Sequence, residues 1–214
     1  MTPMESPAGA RRPWYAGRIL RRGDEPASVA NIANIITVVR ILLAPVFIAI
    51  LLTDDGADGP LRWIAAATFV IVIVTDTADG MLARGRNLVT DVGAILDPIA
   101  DKVLTGGALV GLSILGELPW WITIVILVRE FGITAFRFVA LRTRVIPASR
   151  GGKLKTWVQS VAITAFLAPL APLVGDWYTV VAWVLMGLAF VLTVVTGIDY
   201  LLQAYRRNRG AGAA

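Results

Sequence analysis

Six stretches of the chain, at about residues 32–53, 61–83, 92–115, 119–141, 154–173 and 177–202, are apolar for about twenty residues each. That is the length a helix needs to cross the hydrocarbon of a bilayer. The runs exceed barrel strands in length and show no strict alternation, so helix is the expected form. Between them lie short stretches rich in Asp, Gly, Pro or basic residues, at 54–60, 85–87, 116–119, 142–153 and 175–176. Only 16% of the 214 residues are charged, whereas a soluble domain carries about a quarter. The expected fold is therefore an all-α integral membrane protein with six transmembrane helices. Its expected organisation is a basic tail over 1–30, one six-helix domain over 31–205 and a second basic tail over 206–214.

The basic residues orient this bundle. Segments 1–31, 84–91, 142–155 and 203–214 hold fifteen of the twenty Lys and Arg, while 54–60, 116–119 and 172–177 hold none and carry five acids. The asymmetry predicts both termini in the cytoplasm, as six spans require. The net charge of +5 is then suited to an anionic membrane face rather than to nucleic acid. Arginines recur through residues 1–31 with no apolar run before Asn31, so a signal peptide is not expected. Residues 14–22 read either as an interfacial segment or as a plain orienting tail.

The chain has no His and no Cys. That excludes disulfides, a zinc cage, haem ligation, a thiol nucleophile and an imidazole base. Any metal must be held by oxygen, which points to hard cations such as Mg²⁺ or Mn²⁺. Oxygen ligands are present where a membrane protein should avoid them. Asp76 and Asp79 close the second apolar run three residues apart, and Asp97 and Asp101 open the third four residues apart. Each pair shares a helix face, and all four fall about 12–13 Å or less from the cytoplasmic helix ends. Four unpaired acids would cost on the order of 10 kcal/mol to insert, less near the interface. Two divalent cations would neutralise them, the arrangement of two-metal phosphoryl chemistry. Gly80 and Gly93 beside them serve either a close ligand approach or a close helix contact.

The run Asp76-x2-Asp79-Gly80-x2-Ala83-Arg84-x8-Gly93-x3-Asp97-x3-Asp101 resembles the signature of the CDP-alcohol phosphotransferase family at each of its eight defined positions. The resemblance implies a six-helix membrane enzyme, a homodimer, with a binuclear Mg²⁺ or Mn²⁺ site facing the cytoplasm. Such enzymes move a phosphatidyl-type group from a CDP-linked lipid to an alcohol and release CMP. It implies Asp76, Asp79, Asp97 and Asp101 as metal ligands, with Asp101 also the general base on the attacking hydroxyl. Asp79, Gly80, Ala83, Arg84 and Gly93 would surround the CDP moiety.

Three further stretches are similar to the branch of that family that takes glycerol 3-phosphate from solution and CDP-diacylglycerol from the membrane. They are Asn31 to Arg40, with Thr37; Asp97-Pro98-Ile99-Ala100-Asp101-Lys102; and Arg129-Glu130 with Arg137 and Gly152-Lys153-Leu154-Lys155-Thr156. Thr37 and Arg40 share one face of the first helix and would touch the nucleotide; alternatively Arg40 snorkels to headgroups. An anionic acceptor needs cations beside the metals, so Arg129, Arg137, Lys153 and Lys155 are the expected phosphate ligands. Against this stand two plainer roles: an Arg129–Glu130 structural ion pair, and lysines placed by orientation alone. Lys102 reads as tempering the acidic cluster. Alternative acceptors are inositol phosphate, or phosphatidylglycerol to give cardiolipin. A cation or proton-coupled transporter is the alternative from another class.

Overall fold

The computed structural model describes residues 32–86, 91–140 and 150–211, with side chains over 36–75, 99–136 and 154–203. Seven helices account for nearly all of them, and no strand occurs among the described residues. They are α1 (Ile32–Asp54), α2 (Pro60–Arg86), α3 (Asp91–Ile114), α4 (Trp120–Ala140), α5 (Arg150–Leu167), α6 (Ala171–Val174) and α7 (Trp177–Ala211). The tail 1–30 lies outside the described residues.

Local sequence explains the boundaries. After α1 the chain turns through Asp55 and Gly56, with φ of 50° and 72°. The Asp54 carboxylate then accepts hydrogen bonds from the backbone N–H groups of Gly59 and Arg62, both at 3.2 Å, satisfying donors at the start of α2. Pro60 opens that helix, where a missing N–H costs nothing. Gly116, with φ 76°, ends α3 in a left-handed turn. The fifth apolar run is not one helix to residue 173: α5 stops at Leu167 and a separate four-residue α6 follows. Pro169 removes a backbone donor and disfavours helical backbone at the residue before it, which accounts for the break.

Among the described residues two helices are long and apolar enough to cross a membrane, over Ile36–Asp54 and Trp177–Gln203. The expectation was six. Pro60–Thr75 of α2 is a shorter apolar stretch among the described residues. The outer surface of the bundle is apolar: Val184, Leu188, Val191 and Val195 on α7 form an exposed stripe at helical spacing, as do Trp121, Ile124 and Val128 on α4.

The packing places α3 at the centre. It contacts α1, α4 and α5, while α1 and α5 each also contact α2, and α7 covers α4 and α5. The α1–α3 seam is set by Gly107 and Gly111, one helical turn apart. A Cβ at Gly107 would stand 2.4 Å from Ile48 Cδ1, and one at Gly111 would stand 2.7 Å from Leu51 Cδ2. Gly107→Val is therefore expected to push α1 away and destabilise the fold by about 1–3 kcal/mol, read as a lower thermal-unfolding midpoint in detergent. An unchanged midpoint would show that Ile48 simply rotates aside.

Candidate active site

Beside this seam, three helices enclose a small cavity lined by Asp101 and Thr105 of α3, Glu130 of α4, and Lys155, Thr156, Gln159 and Ser160 of α5. Each pair spaced by four residues, Asp101 with Thr105 and Lys155 with Gln159, presents one helix face to it. The walls are polar although the surrounding helices are not.

Glu130 organises the cations. Its Oε2 accepts a hydrogen bond from Lys102 Nζ at 2.9 Å, and its Oε1 accepts one from Arg129 Nη1 at 2.9 Å. The same Oε1 also receives the Lys155 ammonium. The Lys155 side chain is only 3% exposed. One carboxylate thus gathers three cations, of which Lys155 lines the cavity together with Asp101. A buried cation set of this kind is stable only with dense hydrogen bonding or with an anion to complete it. The arrangement sets buried cations beside the Asp101 carboxylate.

Arg129 reaches this group from behind. Besides Glu130, its guanidinium donates from Nε to the carbonyl of Thr193 at 3.2 Å and from Nη2 to Thr196 Oγ1 at 2.7 Å. Gly197 makes room for it: a Cβ there would meet Arg129 Cγ at 3.1 Å. Arg129 therefore ties α4 to α7 and joins the cavity through Glu130, so the structural pairing weighed above is present. Lys102 pairs with Glu130 across the α3–α4 contact, where the sequence reading set it against the acidic cluster.

The remaining expected residues divide by what is described. Thr37 and Arg40 are buried on α1, at 4% and 5% exposure. Asp76, Asp79, Gly80, Ala83 and Arg84 are helical positions of α2, Gly93 and Asp97 of α3, Arg137 of α4 and Lys153 of α5. Their side chains lie outside the described residues. Among the described residues no group of three acids is close enough to hold a metal; of the four aspartates, only Asp101 has a described side chain. The helices bearing them are continuous through each pair, so the spacings of three and four do correspond to shared helix faces. The donor set is all oxygen, which fits Mg²⁺ or Mn²⁺.

The sequence reading did not single out Thr105, Gln159 or Ser160. The signal was present in their spacing, since Thr105 stands four residues after Asp101 and Gln159 four after Lys155.

A family model described as CDP-alcohol phosphatidyltransferase matches residues 30–195. A protein of Mycobacterium tuberculosis (strain CDC 1551 / Oshkosh) named probable phosphatidylglycerophosphate synthase is 50% identical over 180 residues, covering 84% of each chain. A Bacillus subtilis (strain 168) protein named CDP-diacylglycerol–glycerol-3-phosphate 3-phosphatidyltransferase is 40% identical over 183 residues, 79% of this chain and 93% of its own. A Pseudomonas fluorescens protein of the same name is 35% identical over 187 residues, 82% of this chain and 90% of its own.

Proposed function

The chain belongs to the CDP-alcohol phosphatidyltransferase family, and we propose that it transfers the phosphatidyl group of CDP-diacylglycerol to glycerol 3-phosphate. The products are phosphatidylglycerophosphate and CMP. The observation that carries the choice of acceptor is the cation cluster on Glu130 beside Asp101. A neutral alcohol would not need it; an acceptor bearing a phosphate would. The names of the relatives in Mycobacterium tuberculosis and Bacillus subtilis point the same way. Membership in a transferase family removes the transporter alternative. Inositol phosphate remains the competing acceptor with a phosphate, and phosphatidylglycerol the competing lipid one.

In this reading the helices α1–α5 and α7 are six spans, both termini lie in the cytoplasm, and the protein is a homodimer of a bacterial plasma membrane. Residues 31–205 form the enzyme between two basic tails, 1–30 and 206–214. Asp76, Asp79, Asp97 and Asp101 would hold two Mg²⁺ or Mn²⁺ ions, which supply charge neutralisation at the pyrophosphate and a more acidic acceptor hydroxyl. Asp79, Gly80, Ala83, Arg84, Gly93, Thr37 and Arg40 surround the CDP moiety. Lys155, with Lys153 and Arg137, binds the acceptor phosphate, and Arg129 supports them through Glu130. Asp101 takes the proton of the acceptor 1-hydroxyl as its oxygen bonds to the lipid-side phosphorus. The bond from that phosphorus to the bridging oxygen breaks, and CMP leaves with the electron pair. The chain supplies no covalent intermediate.

The test is an assay of purified protein in detergent with CDP-diacylglycerol, Mg²⁺ or Mn²⁺, and one acceptor at a time. Release of CMP with phosphatidylglycerophosphate as the lipid product is expected from glycerol 3-phosphate. Product from inositol phosphate or phosphatidylglycerol instead would refute the assignment of the acceptor. Lys155→Met should raise KM for glycerol 3-phosphate by about tenfold or more, the worth of one charge-assisted hydrogen bond, with a much smaller change in KM for CDP-diacylglycerol. Equal changes in both constants would place Lys155 elsewhere.

A further inference from the structure

One polar group on the cavity wall takes no part in the phosphate or proton chemistry. Gln159 sits on α5 one turn beyond Lys155, is only 4% exposed, and has a buried Oε1 with no hydrogen-bond partner. It shares the polar face of α5 that lines the cavity with Lys155, Thr156 and Ser160. A buried amide acceptor left unpaired costs stability, and a buried amide that lines a cavity is satisfied by whatever occupies that cavity. An amide is uncharged, and it both donates and accepts. It suits a hydroxyl, which does the same, better than a phosphate, which the cations already serve.

Resting on the acceptor reading above, we infer that Gln159 binds the non-reacting hydroxyl of the acceptor alcohol, the 2-hydroxyl of glycerol 3-phosphate. Lys155 and Gln159 lie on one face of α5 and Asp101 lines the same cavity from α3, so three groups meet three functions of one small molecule. The phosphate goes to the cations, the attacking hydroxyl to Asp101 and the remaining hydroxyl to the amide. The contact makes Gln159 a specificity residue, because a site built to pair with a hydroxyl rejects an analogue that lacks it.

The experiment compares kcat/KM for three acceptors: glycerol 3-phosphate, dihydroxyacetone phosphate, whose 2-oxygen only accepts, and 3-hydroxypropyl phosphate, which has no 2-oxygen. The wild-type protein should rank them in that order, with about a hundredfold between first and last. In Gln159→Leu and Gln159→Met the gap should shrink to about threefold or less. A wild-type protein indifferent to the 2-oxygen, or a gap that persists in a folded variant, overturns the inference. Should neither variant elute as a single species from a detergent column, the wild-type ranking decides, since any other order excludes an amide contact at that oxygen. The two levels of the argument fail differently. No lipid product from glycerol 3-phosphate refutes the function, whereas product with a gap independent of Gln159 refutes only this contact.

Discussion

Asp101→Asn is expected to lower kcat by about two to four orders of magnitude, the usual contribution of a positioned acid–base group, at unchanged expression and helix content. The substitution keeps the shape of the side chain and removes its charge, and with it the ability to accept the hydroxyl proton. Asp101 faces the cavity one helical turn below Thr105, whose Oγ donates to the Asp101 backbone carbonyl at 2.8 Å, a contact the amide variant leaves in place. Loss of turnover without loss of structure is thus the specific expectation. Because the proposed ligand set also includes Asp101, metal affinity must be read separately, by the Mn²⁺ concentration that gives half-maximal activity. A variant limited only by metal would recover at high Mn²⁺; one lacking its base would not. Turnover within tenfold of the wild type would remove Asp101 from the proton transfer.

Removal of divalent cations should have the larger effect. With EDTA present, CMP release is expected to fall below detection, a loss of at least about a thousandfold, and to return on adding Mg²⁺ or Mn²⁺ in excess. In the proposed ligand set the cations offset the mutual repulsion of four carboxylates. Chelation should therefore also lower the thermal-unfolding midpoint, because an ion bound only by the folded chain stabilises it by mass action. Asp79→Ala should reproduce the loss of activity and should not be rescued by more Mg²⁺. Full activity in EDTA, after dialysis against it, would contradict the reading of the aspartates as ligands.

Hydrophobic run length and turn residues predicted the helices to within a few positions at α1 to α4. They overran at α5 because apolarity continues through Pro169 to residue 173 while the backbone cannot. The two aspartate pairs were legible because carboxylates in an apolar helix stand out against their cost. The Glu130 cluster was legible only in part. Glu130 and Arg129 are adjacent in sequence, but Lys102 and Lys155 reach the same carboxylate from two other helices, and no local pattern records which helices meet. Gln159 went unnoticed although it stands four residues after Lys155, since a single neutral amide has many uses and that spacing acquires meaning only when the cavity is seen.

The glycine seam between α1 and α3 has a mechanical consequence. Gly107 and Gly111 follow Asp101 by six and ten residues, about 9 and 15 Å along the axis. Asp101 rides on the stretch of α3 beyond this seam, which the Lys102–Glu130 pair ties to α4. With the seam as pivot, a tilt of about 8° at an arm of about 15 Å swings Asp101 by roughly 2 Å, comparable to the difference between a hydrogen bond and none. The seam thus sets by leverage how Asp101 stands against α4 and α5, and a variant that loosens it would misplace that carboxylate.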